Sequence, residues 1–257
     1  MKKIKMSALV LAAASIASTG AMAQSSKTNA WEGAYGQWSV GFASFSPKIG
    51  STTATPNPGS LLYPYPALLG QTISASGSAN TLNTPTNAIS AGYNFGVNQD
   101  YVLGIGASYY IGASGSGNGS FSLSAPGAPS NPPPYTVPAL NTTTPVTYQL
   151  KNLWSVTLQP GYVIDKDRLV YAKVGYTGVT IGLNGPIASY QTSTLSGYSL
   201  GLGYKQMVTD SIYLLGEANY GGFSNKSATL STSIGTNVGT TLGGSGFDLL
   251  VGVGYRF

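Results

Sequence analysis

Apolar residues recur at every second position in eight stretches of the chain, with small or polar residues between them. From Ala34 to Ser44, Trp38, Val40 and Phe42 oppose Tyr35, Gln37, Ser39 and Gly41. From Thr86 to Gly96, Ile89, Ala91, Tyr93 and Phe95 oppose Ser90, Gly92 and Asn94. After Val97-Asn98-Gln99-Asp100, Leu103, Ile105, Ala107, Tyr109 and Ile111 alternate with Gly104, Gly106 and Ser108. The fourth stretch sets Tyr148, Leu150, Trp154, Val156, Leu158 and Tyr162 against Gln149, Lys151, Ser155, Thr157 and Gln159. Pro160 falls near its end, where a missing ladder donor costs least. In the fifth, Val170, Ala172, Val174 and Tyr176 oppose Tyr171, Lys173, Gly175 and Thr177. Its later apolar residues Val179, Ile181 and Leu183 take the other phase, which predicts a bulge or emergence from an apolar surrounding. The sixth pairs Tyr198, Leu200, Leu202 and Tyr204 with Ser199, Gly201, Gly203 and Lys205. The seventh pairs Ile212, Leu214, Ala218 and Tyr220 with Leu215, Glu217 and Asn219, and the eighth Phe247 to Phe257 with Asp248, Leu250, Gly252, Gly254 and Arg256. A period of two is that of a β-strand with two unlike faces.

The connections alternate in length. Those near Asn98, Lys166 and Asp210 are short; Ser46–Pro85, Gly112–Val146, Asn184–Thr194 and Ser224–Gly244 are longer. Strands of ~9–11 residues, short turns on one side and long loops on the other predict an all-β fold, a transmembrane antiparallel up-and-down β-barrel of eight strands. The short turns are then periplasmic, and both termini share their side. A ten-stranded count using Thr72–Asn80 and Ser120–Ser124 is the alternative.

Composition sharpens this. Charged residues are 7% of the chain, against ~25% in soluble domains, so a secreted sandwich lacks the charged face it would expose. Mean hydropathy is nonetheless near neutral, and beyond the first residues no apolar run is long enough for a membrane helix. Only a closed barrel then satisfies every backbone group in lipid. Lys2, Lys3 and Lys5, the apolar run Ala8–Ala17 and the small-x-small site Ala21-Met22-Ala23 predict a cleaved signal peptide over 1–23, leaving a barrel domain over 24–257. Removing those three lysines leaves nine basic against seven acidic residues, so the net charge falls from +5 to +2. That is no basis for nucleic-acid binding.

The last strand ends Leu249, Val251, Val253, Tyr255, Phe257 at alternate positions. This pattern resembles the C-terminal signal by which Gram-negative outer-membrane proteins are handed to the barrel-assembly machinery. With the strand pattern, it makes the chain similar to the small eight-stranded barrels of the OmpA transmembrane-domain, OmpX and opacity-protein group. The resemblance implies residence in the outer membrane of a Gram-negative bacterium, with outer-membrane lipid and the assembly machinery as partners; unlike full OmpA, this sequence stops at Phe257, so no peptidoglycan-binding domain is expected. It assigns no counterpart to the loops and names no extracellular ligand.

An eight-stranded barrel is just wide enough for side chains to fill. The inward set includes Lys151, Lys173, Lys205, Glu217, Asp248 and Arg256. Of these, Lys173, Lys205, Glu217 and Arg256 fall on successive strands toward the short-turn end, predicting a paired polar cluster that plugs the lumen. The many inward glycines argue the other way, since they leave room for water. The chain has no histidine and no cysteine, which removes the usual base, nucleophile and metal ligands. Its seven carboxylates form no pair, and Gly112–Ser120 lacks the GK[ST] of a phosphate loop. No catalytic residue, cofactor or metal is expected. The expected role is that of a non-enzymatic outer-membrane barrel with an envelope-structural and surface-loop function. Narrow-pore passage of small polar solutes or ions is one alternative. Adhesion through the proline- and tyrosine-bearing loops one and two is the other.

Overall fold

The computed structural model describes residues 28–56, 73–111, 115–129, 136–185, 191–231 and 236–257; the expected signal peptide, 1–23, lies outside them. Twelve strands follow in chain order: β1 (Gly33–Pro56), β2 (Ser74–Ala79), β3 (Leu82–Gly96), β4 (Tyr101–Ile111), β5 (Ser116–Ala125), β6 (Ala128–Pro129), β7 (Thr136–Val137), β8 (Leu140–Asp165), β9 (Arg168–Asn184), β10 (Gln191–Met207), β11 (Ile212–Ser231) and β12 (Thr236–Arg256). Each pairing is antiparallel. Order β12-β11-β10-β9-β8-β4-β3-β1 closes on itself where β1 meets β12, from Tyr35 opposite Arg256 upward. The ring therefore has eight members, as the alternation predicts.

Two of the eight walls are broken in the middle. β2 and β3 descend in succession, and β4 and β5 ascend in succession. β1 leaves β3 after Phe45–Leu82 and takes up β2 at Thr52 and Thr53. β8 pairs with β4 through Trp154 and with β5 from Gln149 upward. The segments behind the ten-stranded alternative are thus continuations of existing walls, not further crossings. Pro47 of β1 lies in the gap between its two partners, where an unpaired edge tolerates proline.

Much of what the alternation left as loop is strand. β1 runs to Pro56, β8 begins at Leu140, β11 runs to Ser231 and β12 begins at Thr236, so the walls continue well past the ~9–11 residues a bilayer needs. Ser116–Ser120, expected as part of a loop, opens β5. These segments were missed because their outward positions are Ser and Thr and their inward positions apolar, the reverse of the lipid-spanning pattern.

That reversal is the main feature of the fold. On β9 the odd-numbered residues face inward throughout: Tyr171, Lys173 and Thr177, then Val179, Ile181 and Leu183. The phase change expected within this strand is therefore emergence from the apolar surrounding, not a bulge in β9. On β10 the inward series passes from Lys205 and Ser199 to Leu195; on β12 it passes from Leu250 and Asp248 to Leu242 and Val238. Outward positions change the opposite way, Leu202, Leu200 and Tyr198 giving way to Thr194 and Thr192. The lower outward band is aliphatic between two aromatic rows. Tyr109, Trp154, Tyr176, Tyr198, Tyr220 and Phe247 form the upper row and Tyr93, Phe95, Tyr101, Tyr162, Tyr204 and Tyr255 the lower, the arrangement of a barrel in a bilayer. Above the upper row the interior becomes an apolar core of Phe45, Tyr148, Leu150, Val179, Leu195 and Leu242, among others. The exterior there becomes a ladder of hydroxyls such as Ser78–Ser120 and Ser122–Thr143, each 2.9 Å.

Three strands do shift phase: β1 between Ile49 and Thr52, β11 between Phe223 and Lys226, and β8. On β8 the register slips between Lys151 and Trp154, and Asn152 takes φ 52, a left-handed conformation that Asn tolerates. The extra residue turns Tyr148 and Leu150 inward, where the alternation placed them outward, and turns Lys151 to the exposed face, out of the expected lumen set. At the short-turn end, Asp165 accepts from Arg168 Nε at 2.7 Å and pairs with its Nη2 at 2.5 Å. The guanidinium holds this exposed carboxyl below its ordinary range.

The inverted extension predicts opposite costs on adjacent faces of β10. Leu195→Ala, which opens a cavity in the upper core, is expected to lower unfolding free energy by about 2–5 kcal/mol. Thr192→Ala, on the exterior, should change it by less than about 0.5 kcal/mol. Denaturant unfolding of the detergent-solubilised barrel measures both.

Candidate functional site

The lumen is filled from the short-turn end upward in three layers. The first comes from the segment before β1. Asn29 Nδ2 donates to the carbonyls of Asn98 and Gln99 in the first short turn, at 3.0 and 2.8 Å. Its Oδ1 accepts from the Trp31 amide at 2.8 Å, and the Trp31 carbonyl accepts from Asn94 Nδ2 at 3.1 Å. Thus tethered, Trp31 enters the mouth of the barrel and is 1% exposed. Its ring meets Tyr213 edge-on at 5.8 Å, in a cluster with Val102, Val163, Leu169 and Leu215.

The second layer is polar and centred on Glu217. Lys173 Nζ lies 2.9 Å from Glu217 Oε2, with both side chains almost wholly buried. Tyr171 donates its hydroxyl to Oε1, Gln37 Nε2 donates to the same oxygen at 3.1 Å, and Tyr213 donates to Gln37 Oε1 at 3.1 Å. Asn219 Nδ2 links Glu217 to Asp248, lying 2.8 Å from Asp248 Oδ1, and Tyr110 donates to Oδ2 at 3.0 Å. Lys205 sits beside this network in an aromatic cage, its Nζ 4.0 Å from the Tyr35 ring centroid and 4.9 Å from those of Tyr171 and Tyr213. A cation placed over aromatic faces is held by their quadrupoles, more strongly when desolvated.

The glycines explain how three tyrosines fit inside so narrow a ring. Tyr35 is the ladder partner of Gly92, Tyr171 of Gly203 and Tyr213 of Gly254. A Cβ built on Gly203 would lie 2.2 Å from the Tyr171 ring, and one on Gly254 2.1 Å from that of Tyr213. Of the inward glycines that argued for a watery channel, Gly92, Gly203 and Gly254 are therefore seats for rings, and Gly104 and Gly201 lie against the amides of Asn94 and Asn219. Above the network a cavity of about 60 Å³ touches Asp248, Asn219, Ser155 and Ser199 below and Phe45 and Leu150 above. The apolar core of the extension is the third layer.

Of the four residues expected to form the plug, Lys173, Lys205 and Glu217 stand together, joined by Asp248. Arg256 does not join them: it lies at the rim and donates from Nη2 to the Asp210 carbonyl at 2.6 Å. Its strand position is the last inward one of β12, beyond the reach of Glu217 by several ladder steps. The aromatic members Trp31, Tyr110 and Tyr213, and the roles of Tyr35 and Tyr171, were not anticipated. An inward tyrosine opposite a glycine on the next strand was the available signal. Leu249, Val251, Val253, Tyr255 and Phe257 all lie on the outward face, each at least 40% exposed. Among the described residues no group of three or more His, Cys, Asp or Glu is placed to hold a metal ion.

A closed antiparallel ring with an aliphatic outward band, aromatic borders and a filled lumen defines a small transmembrane β-barrel. The family described as outer membrane protein beta-barrel domain matches residues 9–257, and the chain belongs to it. No curated protein matches the chain in sequence. Among solved structures it is similar to the outer membrane protein OprG from Pseudomonas aeruginosa, at 12% identity over 90% of this chain and 99% of that one, TM-score 0.53. It is also similar to Ail, the attachment invasion locus protein of Yersinia pestis, at 14% identity over 88% and 99%, TM-score 0.39. A third likeness is to the outer membrane protease OmpT from Escherichia coli, at 12% identity over 88% and 97%, TM-score 0.47. At 12% identity the likeness to OprG is one of fold.

Glu217→Gln removes the only carboxylate within 4 Å of Lys173 among the described residues. It is expected to cost about 3–5 kcal/mol by stranding a buried ammonium. Lys173→Met added to Glu217→Gln should recover most of that loss, as denaturant titration in detergent would measure.

Proposed function

We propose that the protein is a closed, non-enzymatic outer-membrane barrel. Its work is structural: it spans the bilayer and holds a stiff, hydroxyl-covered extension beyond it. The observation that carries this reading is the Lys173–Glu217 pair with its tyrosines, wedged between the Trp31 cap and the apolar upper core. Each layer alone narrows an eight-stranded lumen to side-chain contact; stacked, they leave no continuous aqueous path. The extension suits display better than loose loops would, because its walls are hydrogen-bonded strands around a core. The outward pattern of Leu249, Val251, Val253, Tyr255 and Phe257 supports recognition of β12 by the barrel-assembly machinery while the chain is being inserted.

The rival reading, a narrow pore for ions or small polar solutes, makes a different electrical prediction. In planar bilayers the refolded protein, its fold verified by a boiled-versus-unboiled gel shift, should give no discrete conductance steps. Replacing Tyr35, Tyr171 and Tyr213 together by Ala should introduce them. Stable steps from the unaltered protein would overturn the closed-barrel proposal.

A further inference from the structure

The chain just before β1 is attached to the barrel differently from the strands that follow. Ladder pairing starts at Gly33, opposite Asn94. Thr28 to Glu32 fold on themselves instead. The Glu32 amide donates to the Asn29 carbonyl at 3.1 Å, and the Thr28 amide donates to Glu32 Oε2 at 3.0 Å. This small turn reaches the wall through two side-chain amides, Asn29 Nδ2 on the Asn98 and Gln99 carbonyls and Asn94 Nδ2 on the Trp31 carbonyl. Gly33, which joins the turn to β1, has φ 133, a backbone conformation that suits glycine and strains other residues.

The turn has a seat and its ring has a socket. A Cβ built on Gly96, at the end of β3, would lie 2.5 Å from Glu32 Oε2, 3.2 Å from Thr28 Cβ and 3.3 Å from Asn29 Cβ. The turn therefore rests on bare backbone. The socket of Trp31 is made by Val102, Val163, Leu169, Tyr213 and Leu215, with Met207 packed against them. Apolar contact alone holds the ring there, since Trp31 Nε1 is buried with no hydrogen-bond partner among the described residues. A buried donor left unmade costs free energy that contact with water would restore. Behind the ring stands Tyr213, which also borders the caged Lys205 ammonium. Lys205 itself is 2% exposed.

We infer that residues 28–33 are a hinged stopper. Trp31 swings out on Gly33 while the ring of strands stays closed, and its departure admits water and small polar molecules from the short-turn end to the Lys205 cage. A fixed piece of wall accounts for the burial of Trp31. It does not account for the missing ladder bonds, for glycine at both hinge and seat, or for an indole N–H without an acceptor. The device leaves the closed-barrel reading intact, because the Glu217 network above the cage stays in place when Trp31 is out.

The test uses the refolded protein in detergent with Trp38→Phe and Trp154→Phe, so that Trp31 is the sole tryptophan. Gly96→Val crowds the seat and Gly33→Ala strains the hinge. Gly221→Ala, where a Cβ meets nothing closer than 3.5 Å, is the control. The gel shift reports the ring, acrylamide quenching reports the position of Trp31, and acylation of Lys205 by a water-soluble active ester, read on its peptide by mass, reports access. Gly96→Val and Gly33→Ala should both keep the gel shift and increase the quenching. Lys205 acylation should quicken at least about tenfold in both, the scale on which strain at a glycine-only φ shifts an equilibrium. The control should change neither readout. Unchanged quenching in both variants would overturn the inference, as would loss of the gel shift in both, which would make the turn part of the ring. Increased quenching with Lys205 still unreactive would overturn the control of access.

Discussion

A strand in lipid has no water to satisfy its N–H and C=O groups, and every one left unpaired costs several kcal/mol. Most of this molecule follows from that constraint. It requires β1 to find β12, which it does over a long register from Tyr35–Arg256 to Pro56–Thr236 with one irregularity near Ile49. It also explains where the walls are allowed to break. β3 stops pairing with β1 at Leu82, and β8 exchanges β4 for β5 between Trp154 and Gln149. Both breaks lie beyond the upper aromatic row, where water reaches the backbone. Pro47, Asn152 and the register slips near Ile49, Lys151 and Phe223 occupy the same zone, tolerated there for the same reason; the slip between Val163 and Asp165 lies at the short-turn end.

Closure into eight strands then leaves a lumen that must be filled by side chains. At the Tyr35–Gly92, Tyr171–Gly203 and Tyr213–Gly254 steps glycine and tyrosine divide that task, the ring of one lying on the bare backbone of the other. The tyrosine hydroxyls bring the polarity that a buried Glu217 needs, and Lys173 and Lys205 neutralise it. A buried ion pair is weak support for stability in itself, since desolvation offsets much of its attraction. Here its carboxylate accepts from Tyr171 and Gln37 as well, so neither charge of the pair is left bare, although Asn219 Oδ1 beside it has no partner among the described residues, and the network acts as a shaped filling. Beyond the bilayer the exterior meets water and the interior can be apolar, and the chain there builds an ordinary hydrophobic core inside the same eight walls.

The lipid-spanning half was legible because lipid imposes a strict contrast. Trp38, Leu202 and Val251 have nowhere to point but outward, and their period names the strand and its face. The inward ionisable residues Lys173, Lys205 and Glu217 were legible for the same reason, being so few. The extension was not, because Ser and Thr outside and scattered Val, Leu and Ala inside give a shallow contrast, interrupted by Pro47, Pro56 and glycines. The bulge at Asn152 defeated the alternation on β8: one inserted residue reverses every side chain above it, and nothing in Lys151-Asn152-Leu153 announces it. Arg256 was misjudged because a strand's last inward position faces the rim. Trp31 escaped because it precedes the first alternating stretch and belongs to no strand.

The central claim is that both faces of the barrel exchange character at the upper aromatic row, and that this row is the outer boundary of the bilayer. Nitroxide labels at Leu202 and Thr194, both outward on β10, test it directly in lipid vesicles. Collision with oxygen, which concentrates in the bilayer, should dominate at Leu202, and collision with a water-soluble nickel complex should dominate at Thr194. Oxygen dominance at Thr194 as well would put the extension in the membrane and contradict the account.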